Sequence, residues 1–124
     1  MSQIKVLVQE ADSYIRDILQ FILEEEDYTV SLTANCDEMI EMIYNFNPEV
    51  VLLDYKITGK KSVETCRKIK KLFPGLTVIA LSCNPMIPQV YKLAGFDDYI
   101  EKPFELDRFI HLMKKHTQSL QATA

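Results

Sequence analysis

The hydrophobic positions alternate along the chain between short apolar runs and longer stretches with helical spacing. The short runs predict strands over residues 4–9, 28–32, 50–53, 77–81 and 98–101. After each run, apolar residues recur every three or four positions, which predicts helices over 13–26, 36–46, 62–73, 86–94 and 105–115. Five strand–helix units in succession indicate an α/β fold of the flavodoxin-like, doubly wound (βα)5 type, a five-stranded parallel sheet with helices on both faces.

Several local signals support the ends of these elements. Asp12 or Ser13 can cap the first helix, and Gly95 can terminate the fourth. The run at 50–53 is apolar throughout, as expected of a strand covered on both faces. We expect a single domain over 1–124, with its core at about 4–115 and a frayed C-terminal tail at 116–124.

Composition narrows the class of protein. The chain has 124 residues, 48% of them hydrophobic and 26% charged, which is typical of a globular domain. A net charge of −4 argues against direct binding of nucleic acid. No apolar run is long enough to span a bilayer or to form a secretory signal, so we expect a cytoplasmic protein without membrane contact.

The cysteines and histidines do not predict a metal or disulfide framework. Cys36, Cys66 and Cys83 are odd in number and widely spaced, which indicates reduced thiols. His111 and His116 lie five residues apart and share no helix face, so both are predicted to be surface residues.

Polar residues follow the predicted strands at the points where the strands end. Glu10 follows the first strand, Asp54 the third, Ser82 the fourth and Lys102 the fifth. Parallel strands bring their carboxyl ends to one edge of a sheet, where ligands bind in open α/β folds. That edge could hold two carboxylates, a hydroxyl and an amine, a set able to take up a phosphoryl group. Taken alone, Asp54 could instead be an acidic residue that caps the next turn.

Three motifs in order resemble the receiver domain of response regulators in two-component signal transduction, and in particular the stand-alone chemotaxis type. They are Val50-Val51-Leu52-Leu53-Asp54 followed by Gly59, then Val78-Ile79-Ala80-Leu81-Ser82, then the run from Gly95 through Asp98-Tyr99-Ile100-Glu101-Lys102-Pro103 to Phe104. The resemblance covers about residues 4–115.

The resemblance implies a signalling protein and not an enzyme. Asp54 would accept a phosphoryl group from a sensor histidine kinase or a phosphotransfer protein, and Lys102 would contact the acyl phosphate. Ser82 would move to bind a phosphoryl oxygen, and Tyr99 would turn inward. A downstream protein would then bind the face formed by the fourth helix, fifth strand and fifth helix, and a homodimer could use the same face.

The acidic pair after the first strand departs from the family pattern. Members of the family usually have two adjacent acidic residues there, which help to hold Mg²⁺, whereas this chain has Glu10-Ala11. The resemblance implies Mg²⁺ on Glu10, Asp54 and the backbone carbonyl of Lys56. Because Ala11 removes one carboxylate, we expect weak Mg²⁺ binding. Asp12 is a candidate substitute, but a shift of one residue changes where its side chain points.

Two other functions stay open on the sequence. The chain could be a phosphorylation-independent pseudo-receiver that acts as a protein-interaction module through Tyr91, Tyr99, Phe104 and Arg108, an alternative that Ala11 favours. A small flavodoxin-like binder of nucleotide or flavin would share the architecture, but the chain lacks a glycine-rich phosphate loop.

Overall fold

The computed structural model describes residues 3–56 and 60–122, so Gly59 of the first motif lies outside the described residues. The strands form one parallel sheet in the order β2-β1-β3-β4-β5. This order and the helices on both faces confirm the predicted flavodoxin-like fold. The strands are β1 (Lys5–Gln9), β2 (Thr29–Thr33), β3 (Val50–Asp54), β4 (Thr77–Ser82) and β5 (Asp98–Glu101).

The five predicted helices are present with small shifts at their ends. The predicted helix at 36–46 divides into a 3₁₀ turn over Cys36–Glu38 and an α-helix. Asp12 caps the first helix, as predicted, and Gly95 ends the fourth with a φ of 103°. No helix in the described part of the chain is long and apolar enough to cross a membrane. The helices are α1 (Ser13–Glu25), α2 (Met39–Phe46), α3 (Lys60–Leu72), α4 (Ile87–Ala94) and α5 (Leu106–Ala122).

Alternating side chains of the central strands fill two hydrophobic cores, one on each face of the sheet. Leu7, Val51 and Leu53 pack under α2, α3 and α4, while Val8 and Leu52 pack under α1 and α5. All five residues of β3 are buried because the strand has a neighbour on each side and helices over both faces.

The fifth helix is longer than the sequence pattern indicated. The tail predicted at 116–124 is wrong for residues 116–122, which continue α5. Thr117 is fully buried, and its hydroxyl lies 3.0 Å from the Tyr28 hydroxyl and 2.9 Å from the Met113 carbonyl oxygen. A threonine does not add to an apolar pattern, so its burial was not visible in the sequence.

The prediction of a surface histidine is wrong for His116, whose side chain is 17% exposed. Its Nε2 lies 2.8 Å from Asp98 Oδ2, and this contact joins α5 to the start of β5. Lys115 lies 3.5 Å from the same oxygen, and the Tyr99 N–H donates to Asp98 Oδ1. Burial raises the pKa of Asp98, but these contacts lower it by more, so the net pKa lies below the ordinary value of 3.8.

We expect Asp98→Asn to lower the free energy of unfolding by roughly 1–2 kcal/mol at neutral pH, because a charged hydrogen-bond acceptor is lost. A carboxylate with a depressed pKa stabilises the fold above its unfolded pKa, and that stability is lost as the pH falls through the folded pKa. Urea unfolding followed from pH 7 to about pH 3 should therefore show a smaller acid loss in Asp98→Asn than in the native chain. Asp17→Asn, at an exposed position of α1, is the control. Equal acid profiles for the native chain and Asp98→Asn would contradict this account.

Candidate functional site

The carboxyl edge of the sheet collects the candidate residues in an open pocket of about 470 Å³. Asp54 is the last residue of β3 and is 5% exposed, while Glu10 follows β1 and is 1% exposed. The buried strands hold both carboxylates at fixed positions on neighbouring chain segments. Glu10, Asp54 and Lys102 line the pocket together with Asp12, Ile15, Tyr55, Lys56 and Cys83.

Lys102 joins the two buried carboxylates. Its Nζ lies 2.8 Å from Glu10 Oε1 and 3.0 Å from Asp54 Oδ1. The Lys102 N–H donates to the Ser82 carbonyl oxygen at 2.8 Å, which continues the pairing of β5 with β4 past its last strand residue. Burial lowers the pKa of Lys102, but its hydrogen bonds to Glu10 and Asp54 and the charges of both carboxylates raise it above the ordinary value. The ammonium therefore stays charged at neutral pH.

Gln9 positions the phosphoacceptor candidate, and sequence reasoning missed it. This side chain is 3% exposed. Its Oε1 accepts the Asp54 N–H at 3.1 Å, and its Nε2 donates to the Ala34 carbonyl oxygen at 2.9 Å. The amide thus ties the end of β3 to the segment that follows β2. The signal that could have revealed it is a glutamine in an otherwise apolar strand beside Glu10.

Ser82 and Tyr99 do not line this pocket. The Ser82 hydroxyl is fully buried, donates to the Tyr55 carbonyl oxygen at 2.7 Å and accepts the Asn84 N–H at 3.0 Å. Tyr99 is half-buried, and its ring lies 4.9 Å from that of Tyr91 on α4. The structure therefore brings Asp54, Glu10 and Lys102 together and places both predicted switch residues in other contacts.

Two of the three carboxylates that line the pocket accept hydrogen bonds from backbone N–H groups. The Lys102 ammonium donates to Glu10 Oε1, and the Asp12 N–H donates to Glu10 Oε2 at 3.0 Å. Asp12 Oδ1 accepts the N–H groups of Tyr14 and Ile15 at 2.8 and 3.2 Å as the cap of α1, and Asp12 also lines the pocket.

Two further cationic side chains lie at or near the pocket. Arg16 donates to the carbonyl oxygens of Glu10 and Ala11 at 2.7 and 3.1 Å and so brings a positive charge to this loop. Lys56 is exposed at the pocket. Within residues 3–56 and 60–122, no group of three or more His, Cys, Asp or Glu side chains is arranged to hold a metal ion.

The chain is similar in sequence and in fold to known proteins. The sequence profile of the response regulator receiver domain matches residues 6–114. A response regulator from Thermotoga maritima is 25% identical, with 94% of this chain and 99% of that chain covered and a TM-score of 0.84. A CheY-like response regulator receiver domain protein from Methanospirillum hungatei is 26% identical, with coverage of 99% and 100% and a TM-score of 0.84. The fold is also similar to that of TrrA from Thermotoga maritima, solved in complex with Mg²⁺-BeF, at 24% identity, coverage of 92% and 99%, and a TM-score of 0.82.

Proposed function

Because this chain belongs to the response regulator receiver domain family of two-component signalling, we propose that Asp54 accepts a phosphoryl group and that the chain acts as a phosphorylation switch. Receiver domains interact with histidine kinases or phosphotransfer proteins, and phosphorylation on aspartate is a general feature of the family. The observation that carries the proposal is the buried Asp54 carboxylate, held 3.0 Å from the Lys102 ammonium in an open pocket.

The chemistry required of the site is transfer of one phosphoryl group. A carboxylate oxygen of Asp54 forms a bond to phosphorus as the bond from phosphorus to the donor breaks, and the donor group leaves with its electron pair. Lys102 supplies a fixed positive charge where negative charge gathers on the phosphoryl oxygens. Glu10 keeps this ammonium in place through the second ion pair.

The metal requirement of this chain is the least typical part of the proposed site. Receiver domains generally bind Mg²⁺. We propose that this chain binds it weakly through Glu10, Asp54 and the Lys56 carbonyl, because Ala11 contributes no ligand. The Lys56 ammonium at the pocket would replace part of the missing metal charge.

We propose that phosphorylation changes the surface at the β5 edge of the sheet and that a partner protein detects this change. The Ser82 hydroxyl would leave the Tyr55 carbonyl oxygen for a phosphoryl oxygen, and Tyr99 would turn inward. A groove of about 500 Å³ lined by Tyr99, Phe104 and Arg108 lies between β5 and α5 on this face. A downstream protein, or a second copy of the chain, would bind there when the groove changes shape.

A second candidate function is supported by the loop after β1. Ala11 has no side-chain ligand for a metal ion, and one carboxylate oxygen of Asp12 caps α1. A chain with this loop could act as a pseudo-receiver that binds a partner through the same face without phosphorylation.

The deciding experiment is incubation with acetyl phosphate, with and without Mg²⁺, followed by intact mass measurement. We expect the native chain to gain the mass of one phosphoryl group and Asp54→Asn to gain none, because the nucleophilic oxygen is lost. Lys56→Ala tests whether that lysine assists, and it should slow the reaction. An unmodified mass in both the native chain and Ala11→Asp would favour the pseudo-receiver.

A further inference from the structure

Positive charge is concentrated on α3, although the chain as a whole is acidic. The helix contains six of the chain's 14 basic residues, and Glu64 is its single acidic residue. Its charge of +5 leaves −9 on the rest of a chain whose net charge is −4. A separation of this size creates a local positive field on a molecule that would otherwise repel anions.

Most of these cations project from one exposed face of the helix. Lys70 turns inward, where its ammonium contacts Asp97 and the Leu76 carbonyl oxygen, and Lys61 pairs with Asp37 at the surface. No carboxylate in the described part of the chain lies within ion-pair distance of the other four. They are Lys60, Arg67, Lys68 and Lys71, all exposed, and helical spacing of about 100° per residue places them on the same side as Glu64.

Exposed apolar side chains flank the cations on both sides. Leu93 on α4 is 81% exposed, and Arg67 reaches its carbonyl oxygen at 3.4 Å. On the other side Leu72 is 45% exposed, and Tyr44 of α2 is 60% exposed with its ring edge against Phe73. Exposed apolar residues beside unpaired cations are typical of a surface that contacts another molecule.

We propose that Arg67, Lys68 and Lys71, with Tyr44, Leu72 and Leu93, form a docking surface for an acidic segment of another protein. The segment would place carboxylates on the three cations and apolar side chains on the two flanks. Neighbouring helices pack about 8–10 Å apart, so the surface from α2 to α4 is roughly 16–20 Å wide. An extended chain advances about 3.3 Å per residue, so five or six residues would cross it.

Charge favours a short acidic segment over a larger polyanion. Charges separated by more than about 8 Å are largely screened at physiological ionic strength. A short segment therefore feels mainly the cations it touches, whereas a duplex or an anionic membrane would also meet the acidic remainder of the chain. This proposal does not depend on phosphorylation of Asp54.

The test is a titration of the full chain against a fluorescent peptide of Asp and Glu residues around two leucines, measured by anisotropy at low and at physiological salt. We expect Arg67→Glu/Lys68→Glu to weaken binding on the order of tenfold or more. Lys114→Glu/Lys115→Glu, which changes the net charge equally on exposed positions of α5, should leave the affinity within about threefold. Leu93→Ser should weaken binding without any change of charge.

Several results would overturn the proposal. Absence of peptide binding would do so, as would an equal loss of affinity in the two double variants. The chain could instead bind phosphatidylglycerol vesicles or an oligonucleotide more tightly than the peptide. If that binding is lost in Arg67→Glu/Lys68→Glu, the surface is assigned to a membrane or a nucleic acid. Self-association lost in that variant would assign it to a second copy. Thermal unfolding of every variant identifies any loss that comes from misfolding.

Discussion

Replacing Lys102 with methionine is expected to lower the free energy of unfolding by about 3 kcal/mol at neutral pH. The substitution leaves the carboxylates of Glu10 and Asp54 buried side by side without their shared cation. Because the pKa of Lys102 is raised in the folded chain, its stabilising effect is complete below the unfolded pKa of about 10.4 and is lost as the pH rises through the folded pKa. Urea unfolding of both chains at neutral and at alkaline pH measures this difference.

The matched control is Lys56→Met, which removes an exposed lysine from the same pocket. Its free energy of unfolding should stay within about 0.5 kcal/mol of the native value. Adding Asp54→Asn to Lys102→Met should restore part of the lost stability, since one of the two unpaired charges is then removed. If Lys102→Met is as stable as the native chain, the ion pairs described above do not stabilise the fold.

Restoring the missing carboxylate with Ala11→Asp is expected to tighten Mg²⁺ binding on the order of tenfold or more, because the cation gains an anionic oxygen ligand beside Glu10. Ala11 is exposed, so an aspartate fits at this position without loss of packing. Titration calorimetry with Mg²⁺ measures the affinity, and acetyl phosphate labelling should accelerate in the same proportion.

Ala11→Asn is the control for Ala11→Asp because it adds a similar volume and a carbonyl oxygen but no charge. It should bind Mg²⁺ much less tightly than Ala11→Asp. An affinity for Mg²⁺ that is already high in the native chain, and unchanged in Ala11→Asp, would show that Ala11 does not limit the metal site.

The fold and part of the site follow from regular features of the sequence. Apolar runs that stop at Glu10, Asp54, Ser82 and Lys102 predicted where the strands would end, and parallel pairing then placed these residues at one edge. Both carboxylates of this set, Glu10 and Asp54, contact the Lys102 ammonium in the structure. These positions are predictable because strand periodicity and strand ends are local properties of the sequence.

The features that escaped prediction depend on contacts distant in sequence. Gln9 bonds to Asp54 and Ala34, and Thr117 bonds to Tyr28, but neither polar side chain contributes to an apolar pattern. His116 pairs with Asp98 across two elements, and helix spacing alone carries no information about that partner. The sequence permits Asp12 to act as a metal ligand or as a helix cap, and the direction of its side chain depends on the backbone around it.

The place of Asp54 in the sheet also has a mechanical consequence. Displacing it would break its pairing with Leu81 of β4 and the bond from its N–H to the Gln9 side chain of β1, at the end of a strand that is buried along its whole length. Displacing Tyr99 would deform β5, a four-residue edge strand that pairs with β4 on one side only. We therefore expect the end of β3 to hold Asp54 more rigidly than β5 holds Tyr99, so that of the two side chains Tyr99 is the easier to displace.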